Sequence, residues 1–362
     1  MSGGTLSRYI AGRILRGIGI ALLIVTAIIA LVDYVEASRN IGTETNLSPL
    51  DLLTLTFLKT PKLIEQTIPF VVLFGVMGAL AGMNKRSELT VMRAAGLSAW
   101  RFLRPAIIVS ALIGVIWSTV INPLSSRMMG EYDARSAQIT GSLKTNEIWL
   151  REGSDTAQRV IQAENLDLLA KRLDKPVFFE LAFTQDGATV FDRRFDAQTA
   201  YLNVAGFWTL ENVIENSPGE PPRRTNKVTL QTNINSEDLL EQSGQRIDPP
   251  FWKIREEIRT NEAAGFSARK LRLQYHKLLA LPFMLIAMTL IAAGVSMYLV
   301  RSGGTLRLLI MGSVLGFGVF FVDSVITAFG EVATLPVTLA AWTCPALVLL
   351  FGIIHLTRIE DG

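Results

Sequence analysis

The chain has 362 residues, of which 49% are hydrophobic and only 19% charged, and its mean hydropathy is positive. A formal charge of +3, with no basic–aromatic interleaving outside the apolar runs, excludes nucleic acid as a partner. The single cysteine, Cys344, sits inside an apolar run, which excludes an intrachain disulfide and implies no metal cluster.

Apolar runs that can cross a bilayer need roughly 17–25 residues. The candidates are Gly17–Val32 (short, with a basic lead-in), Leu63–Met83, Phe102–Ile121, Leu278–Val300, Leu306–Phe329 and Val332–Leu356. Three precede a polar block of the chain and three follow it. Arginine and lysine near the span ends set the orientation. One side holds Arg8, Arg13, Arg16, Lys85, Arg86, Arg93, Arg101, Arg104, Arg301, Arg307 and Arg358. The opposite loop, Asp33–Lys62, holds Arg39, Lys59 and Lys62 against Asp33, Glu36, Glu44 and Asp51. The richer side is therefore expected to be cytoplasmic, with both termini, and the polar block to lie outside.

After the first run, Asn46–Thr60 reads as an amphipathic elbow, capped by Ser48 with Pro49 in its first turn. Pro61 is expected to break it, leaving Lys62 at the mouth of the second span and Glu65 and Gln66 within its first turn. Gly78 and Gly82 form a small-xxx-small pair suited to close helix contact. Next comes a charged stretch, NKRSELTVMRAAGLSAWRFLR (Asn84–Arg104). Ser87 is placed to cap a short helix that starts with Glu88, an acid where the helix dipole favours one. Leu89, Met92 and Ala95 recur at helical spacing, Gly96 supplies a left-handed stop, and Ser98 caps the next run. Such a helix either floats at headgroup level or docks a cytoplasmic partner through its small apolar face and its single acid.

From about Ser142 the period changes from 3.6 to 2. Strands are expected at Glu147–Arg151, Arg159–Glu164, Val177–Thr184, Ala188–Arg194, Thr199–Val204, Phe207–Ile214 and Lys227–Ile234. Asp186-Gly187 is a hairpin turn, and Asn216–Thr225 is a loop rich in proline and glycine. Val177, Phe179, Leu181 and Phe183 share one strand face, and Trp208, Leu210 and Ile214 face inward on another. This spacing predicts an antiparallel sandwich, jellyroll or related β fold. A helix at Phe251–Ala264 stops at Gly265 and restarts after Ser267 as a basic lead into the fourth span. His276 and Lys277 stand where it meets the membrane. Gly312 and Gly316 have packing spacing on the fifth span. Asp323, an acid inside that span, is a functional candidate or a hydrogen-bonded structural group.

No Walker-type phosphate loop and no H-E-x-x-H motif occurs, and the two histidines, His276 and His355, are far apart in sequence. No catalytic constellation remains. Any use of ATP would belong to another chain.

The segment RSELTVMRAAGLS (Arg86–Ser98), following a glycine-rich second span, resembles the coupling segment of the lipopolysaccharide export permeases, the LptF/LptG family. Pro61-Lys62 and the helical return Phe251–Pro282 look more like the LptG branch. The resemblance implies a membrane α-helical fold with six transmembrane helices, arranged three and three around an inserted periplasmic β-jellyroll-like domain. The expected domains are residues 1–121, 122–276 and 277–362, with the coupling helix at about 88–95. It implies a transporter subunit of the bacterial inner membrane, not an enzyme, binding no cofactor itself. ATP and magnesium would sit on a homodimeric, LptB-like cytoplasmic ATPase. Further implied partners are an LptF-like homologous permease, LptC-like and LptA-like periplasmic bridge proteins, and lipopolysaccharide. Contact with the ATPase would fall to Arg86, Glu88, Leu89, Met92, Arg93 and Gly96. Candidates for the substrate are Arg39, Lys59, Lys62 and Asp323. LptG-type first spans often carry lysines at the outer end. Here that stretch is Ala30–Arg39, so the basic duty would fall to Arg39, Lys59 and Lys62. The rival reading is a membrane-anchored periplasmic assembly or sensor protein without transport, which no ATPase would accompany.

Overall fold

The computed structural model describes residues 3–40, 48–140, 148–153, 157–167, 171–183, 189–203, 206–232, 234, 249–263, 268–299 and 305–361. The chain divides into a helical unit (Met1–Asn40, Ser48–Met129 and Pro249–Gly362) and a β unit (Gly130–Asp248 with Ile41–Leu47). The expected hairpin turn at Asp186-Gly187 and the stop at Gly265 lie outside the described residues.

Helix α1 runs Gly3–Asn40 and α2 runs Pro49–Lys85, followed by the short α3, Glu88–Ala94. Next come α4 (Ala99–Ile116), a π-helical turn (Trp117–Ile121) and α5 (Asn122–Thr140). After the β unit lie α6 (Phe251–Ala263), α7 (Arg269–Leu299), α8 (Thr305–Glu331) and α9 (Val337–Asp361). Six of the described helices are long and apolar enough to cross a membrane, in agreement with the six runs.

Ser48 caps α2 as expected, within a capping box closed by Asp51. Pro61 does not break the chain there: elbow and second span are one helix that passes through Pro61 and Pro69. A helix-interior proline costs about 3 kcal/mol. Packing on both sides of Pro61 sustains the helix, because Leu52, Leu55, Leu58, Ile64 and Ile68 are all buried.

Lipid tails are as apolar as leucine, so close backbone approach and polar ties decide how such helices associate. The glycines at the α1–α2 contact are Gly17 and Gly75, not Gly78 and Gly82. A Cβ on Gly75 would stand 2.5 Å from the Ile18 Cα, and one on Gly17 would stand 2.5 Å from the Gly75 carbonyl oxygen. Gly78 and Gly82 face open space. The same device brings α4 against α7, where a Cβ on Gly114 would meet the Pro282 Cα at 2.5 Å. Gly312 and Gly316 do pack as expected, against Met77, Leu73 and Phe70 of α2. Helix α2 therefore lies between α1 and α8.

Among the described residues, nine strands form one antiparallel sheet: β1 (Ile148–Gly153), β2 (Ala157–Ala163), β3 (Asn165–Asp167), β4 (Arg172–Asp174), β5 (Val177–Phe183), β6 (Thr189–Asp196), β7 (Thr199–Asn203), β8 (Phe207–Asn216) and β9 (Arg223–Gln231). Their order is β1-β2-β5-β6-β8-β7-β4-β3, with β9 on β8. The seven expected strands are present, and β3 and β4 are additional. The loop is shorter than expected, because β8 reaches Asn216 and β9 starts at Arg223.

Register aligns Leu150, Ile161, Phe178 and Phe195 across four strands, and all four are buried. The inward residue of β5 is thus Phe178, while Val177, Phe179 and Leu181 lie on the less buried face. On β8, Trp208 and Leu210 face inward as expected, but Val213 replaces Ile214. The cause is Asn212. Its φ of 53° resets the alternation where β8 changes neighbour from β7 to β6, and its amide donates to Gln198 at 2.8 Å. Two residues along from the apolar row runs a row of alternating charge on the same face. Arg159 binds Glu152 and, at 2.5 Å, Glu180, whose other oxygen lies 2.8 Å from Arg193. Arg159 also donates to the Gln231 carbonyl at 2.8 Å, tying β2 to the end of β9.

Candidate functional site

Polar residues gather at two ends of the helical unit. The first end holds α3. Ser87 does not cap it: its φ of 60° is left-handed, and its side chain makes no cap hydrogen bond. Glu88 is instead tied to α1. The Tyr9 hydroxyl donates to both Glu88 oxygens, at 3.0 and 3.2 Å. Arg13 donates to the Tyr9 oxygen at 2.9 and 3.1 Å and stands 3.6 Å from Glu88. Leu89 and Met92 are buried in the helical core and face away from the surface on which Arg93, Val91 and Gly96 are exposed, as is Arg86. The six residues expected to meet the ATPase thus divide, two inward, one in an ionic tie and three outward. Gly96, at φ 78°, ends the helix as expected, and the Leu97 amide returns to the Met92 carbonyl at 3.1 Å. Ser98 caps α4 through the Arg101 amide. A tie absent from the sequence reading joins the far end of the chain to this segment: Glu360 of α9 accepts from the Ala99 amide at 3.1 Å.

The second end holds the candidate substrate residues. Arg39 is exposed in the last turn of α1. Lys59 binds the buried Asp33 of α1 at 2.7 Å. Lys62 lies 3.6 Å from Glu65, one turn along α2. Glu65 in turn receives both its oxygens' contacts from the fully buried Asn122 amide, each at 3.1 Å. The Asn122 oxygen accepts from the Phe251 amide at 2.9 Å, so one side chain joins α2, α5 and α6. The neighbouring π-helical turn displaces the backbone from its α-helical pattern. In this turn the Thr119 carbonyl accepts the Trp252 indole at 3.0 Å. Asp323 is held by Lys277 at 2.9 Å, and the same ammonium donates to Thr327 at 2.8 Å. Asp33 and Lys59, and Lys277 and Asp323, are distant in sequence, so only their pairing in space shows them as partners.

Among the described residues, no group of three or more His, Cys, Asp or Glu is placed to hold a metal. The arrangement suits binding and transmission of movement. At one end it has an exposed helix surface tied to α1, beside an α4 start tied to α9, and at the other cations with neighbouring carboxylates.

The family model described as "Lipopolysaccharide export system permease LptF/LptG" matches residues 8–358. The chain belongs to the LptF/LptG permease family. Two similar curated relatives are both named lipopolysaccharide export system permease protein LptG, which places the chain with the LptG-like branch. The one from Haemophilus influenzae is 30% identical over 155 residues, 41% of this chain and 42% of the relative. The one from Escherichia coli K12 is 27% identical over 161 residues, 42% of this chain and 43% of the relative. The aligned stretch spans less than half the length of either. Together with six apolar helices, membership in the LptF/LptG family makes this a multi-pass inner-membrane protein.

Proposed function

We propose that the chain is the permease subunit of an ATP-driven exporter that lifts lipopolysaccharide from the outer leaflet of the inner membrane and passes it to a periplasmic bridge. The observation that carries this reading is the family match over residues 8–358, which takes in both sets of spans and the β unit. The arginine and lysine asymmetry supports cytoplasmic termini, a cytoplasmic α3 and a periplasmic β unit.

In this reading ATP and magnesium belong to an LptB-like dimer that bears on the exposed surface of α3. A push on α3 passes to α1 through Glu88, Tyr9 and Arg13, and to α9 through the Ala99–Glu360 contact. Helices α1 and α8 flank α2 and have little of their apolar spans buried, 11% of each window against 72% for α7. A homologous LptF-like permease would complete that wall, and the cavity between the two would hold the lipid. At the other end, Arg39, Lys59 and Lys62 are the candidate phosphate contacts, with Lys59 beside Asp33 at 2.7 Å and Lys62 beside Glu65 at 3.6 Å. The β unit, with an apolar row on its inner face, would shelter acyl chains on the way to LptC-like and LptA-like proteins, pairing through a strand edge.

The test is affinity purification from detergent-solubilised membranes. Recovery of an ATPase and a second permease, with ATP hydrolysis stimulated by lipopolysaccharide, is expected. Recovery of neither, from a correctly folded chain, would favour a membrane-anchored assembly protein instead.

A further inference from the structure

Helices α6 and α7 border an open pocket of about 370 Å³, lined by Arg255, Ile258, Arg259, Arg272, Tyr275 and His276. Three guanidiniums converge there, and no carboxylate is among the lining residues. Arg272 has Glu262 beside it. Arg255 lies over the Tyr275 ring at 5.5 Å, and among the described residues neither Arg255 nor Arg259 has an acidic partner. Three guanidiniums with Glu262 as the one neighbouring counter-charge among the described residues repel one another, and an anion in the pocket relieves that repulsion.

The surroundings indicate the kind of anion. Tyr275 stacks on Phe251, with ring centres 5.7 Å apart, and Trp252 next to it is 67% exposed. Exposed tryptophan and tyrosine beside the start of a span mark the depth of the lipid headgroups. The apolar run of α7 begins at Leu278, directly after His276 and Lys277. Guanidiniums present forked donors that match phosphate oxygens, and Ile258 adds an apolar wall for the carbon part of a headgroup.

The geometry points to a phosphate-ester site for a membrane-lipid headgroup between α6 and α7, held by Arg255, Arg259 and Arg272. This headgroup role does not depend on what the permease exports. It would fix α6 to the membrane surface and so steady the return from the β unit into the fourth span.

The test uses the purified full chain, with whatever subunits accompany it, in nanodiscs of phosphatidylcholine containing a few per cent of phosphatidylglycerol. Native mass spectrometry then counts the phosphatidylglycerol kept after release from the disc. The wild type should retain it, and Arg255→Gln/Arg259→Gln should lower retention about tenfold, the loss of two charge-assisted contacts. Arg255→Lys/Arg259→Lys should fall between, because lysine keeps the charge and loses the fork. Equal retention in the wild type and the glutamine pair overturns the site. So does a wild type that binds inorganic phosphate, measured by phosphorus NMR, yet retains no phosphatidylglycerol, since the ligand would then be a soluble anion.

Discussion

Replacing Tyr9 by phenylalanine removes one hydroxyl and leaves the ring that packs under Arg13. The seven-residue helix α3 is far shorter than the 12–15 residues at which isolated helices become even marginally stable. It also lacks the serine cap that is typically worth about 1 kcal/mol, because Ser87 is turned into the left-handed region. Its hold on the helical unit comes from the burial of Leu89 and Met92, the return bond from Leu97 and the Glu88 tie. A hydrogen bond to a charged group contributes about 1.5–3 kcal/mol. Glu88 keeps 24% of its side-chain exposure and Tyr9 is 43% exposed, so solvent lowers this to about 1 kcal/mol. That corresponds to roughly a fivefold change in the population of undocked α3. Hydrogen exchange of the amides in 88–95, followed by mass spectrometry on the detergent-solubilised protein, measures it directly. Tyr9→Phe should speed exchange of this peptide about fivefold and leave the α4 peptide 102–114 unchanged. Unchanged exchange in α3, or equal acceleration in both peptides, would refute the tie.

Three further outcomes follow from the geometry. Gly75→Ala sets a Cβ against the α1 backbone and should lower stability by about 1–3 kcal/mol in thermal unfolding. Gly78→Ala meets nothing, and the better helix propensity of alanine should leave it neutral or stabilising; equal effects would remove the close-crossing argument. Asn122→Leu removes the amide donor from Glu65 and leaves the Phe251 amide without its acceptor, at about 1–3 kcal/mol, and should lower the melting temperature far more than Ala134→Leu at an exposed position of the same helix. Arg39→Glu/Lys62→Glu should cut lipopolysaccharide co-purification without loss of the ATPase. Normal lipid occupancy in that double variant would return both cations to the role of membrane anchors.

Long elements were legible in the sequence because each rests on a pattern repeated over many residues. Six apolar runs became six long helices, and seven alternating segments became strands. The three-residue strands β3 and β4 are too short to show a period. Proline chemistry alone predicts a break at Pro61, and only the packing of α2 on both sides overrides it. Gly17 and Gly75 serve one crossing from two helices, so no spacing within either sequence reveals them. Charge pairing was hidden for the same reason. Lys59 and Asp33 read as scattered charges of one loop, and Asp323 as an isolated acid, until folding brought each to its partner. Asn122 had no signal beyond being a polar residue at the end of an apolar run. The short helix within Arg86–Ser98 was readable from its spacing and its glycine stop, but its inward Leu89 and Met92 and its Glu88 tie depend on where α1 lies.

The most direct test of the account is ATP-dependent release of fluorescent lipopolysaccharide from proteoliposomes that contain this chain with its co-purifying ATPase and second permease. The account predicts release into a soluble periplasmic acceptor that requires both ATP and this chain, and that falls relative to ATP hydrolysed when Tyr9→Phe loosens α3. Release that is the same without nucleotide, or from vesicles lacking this chain, would contradict it.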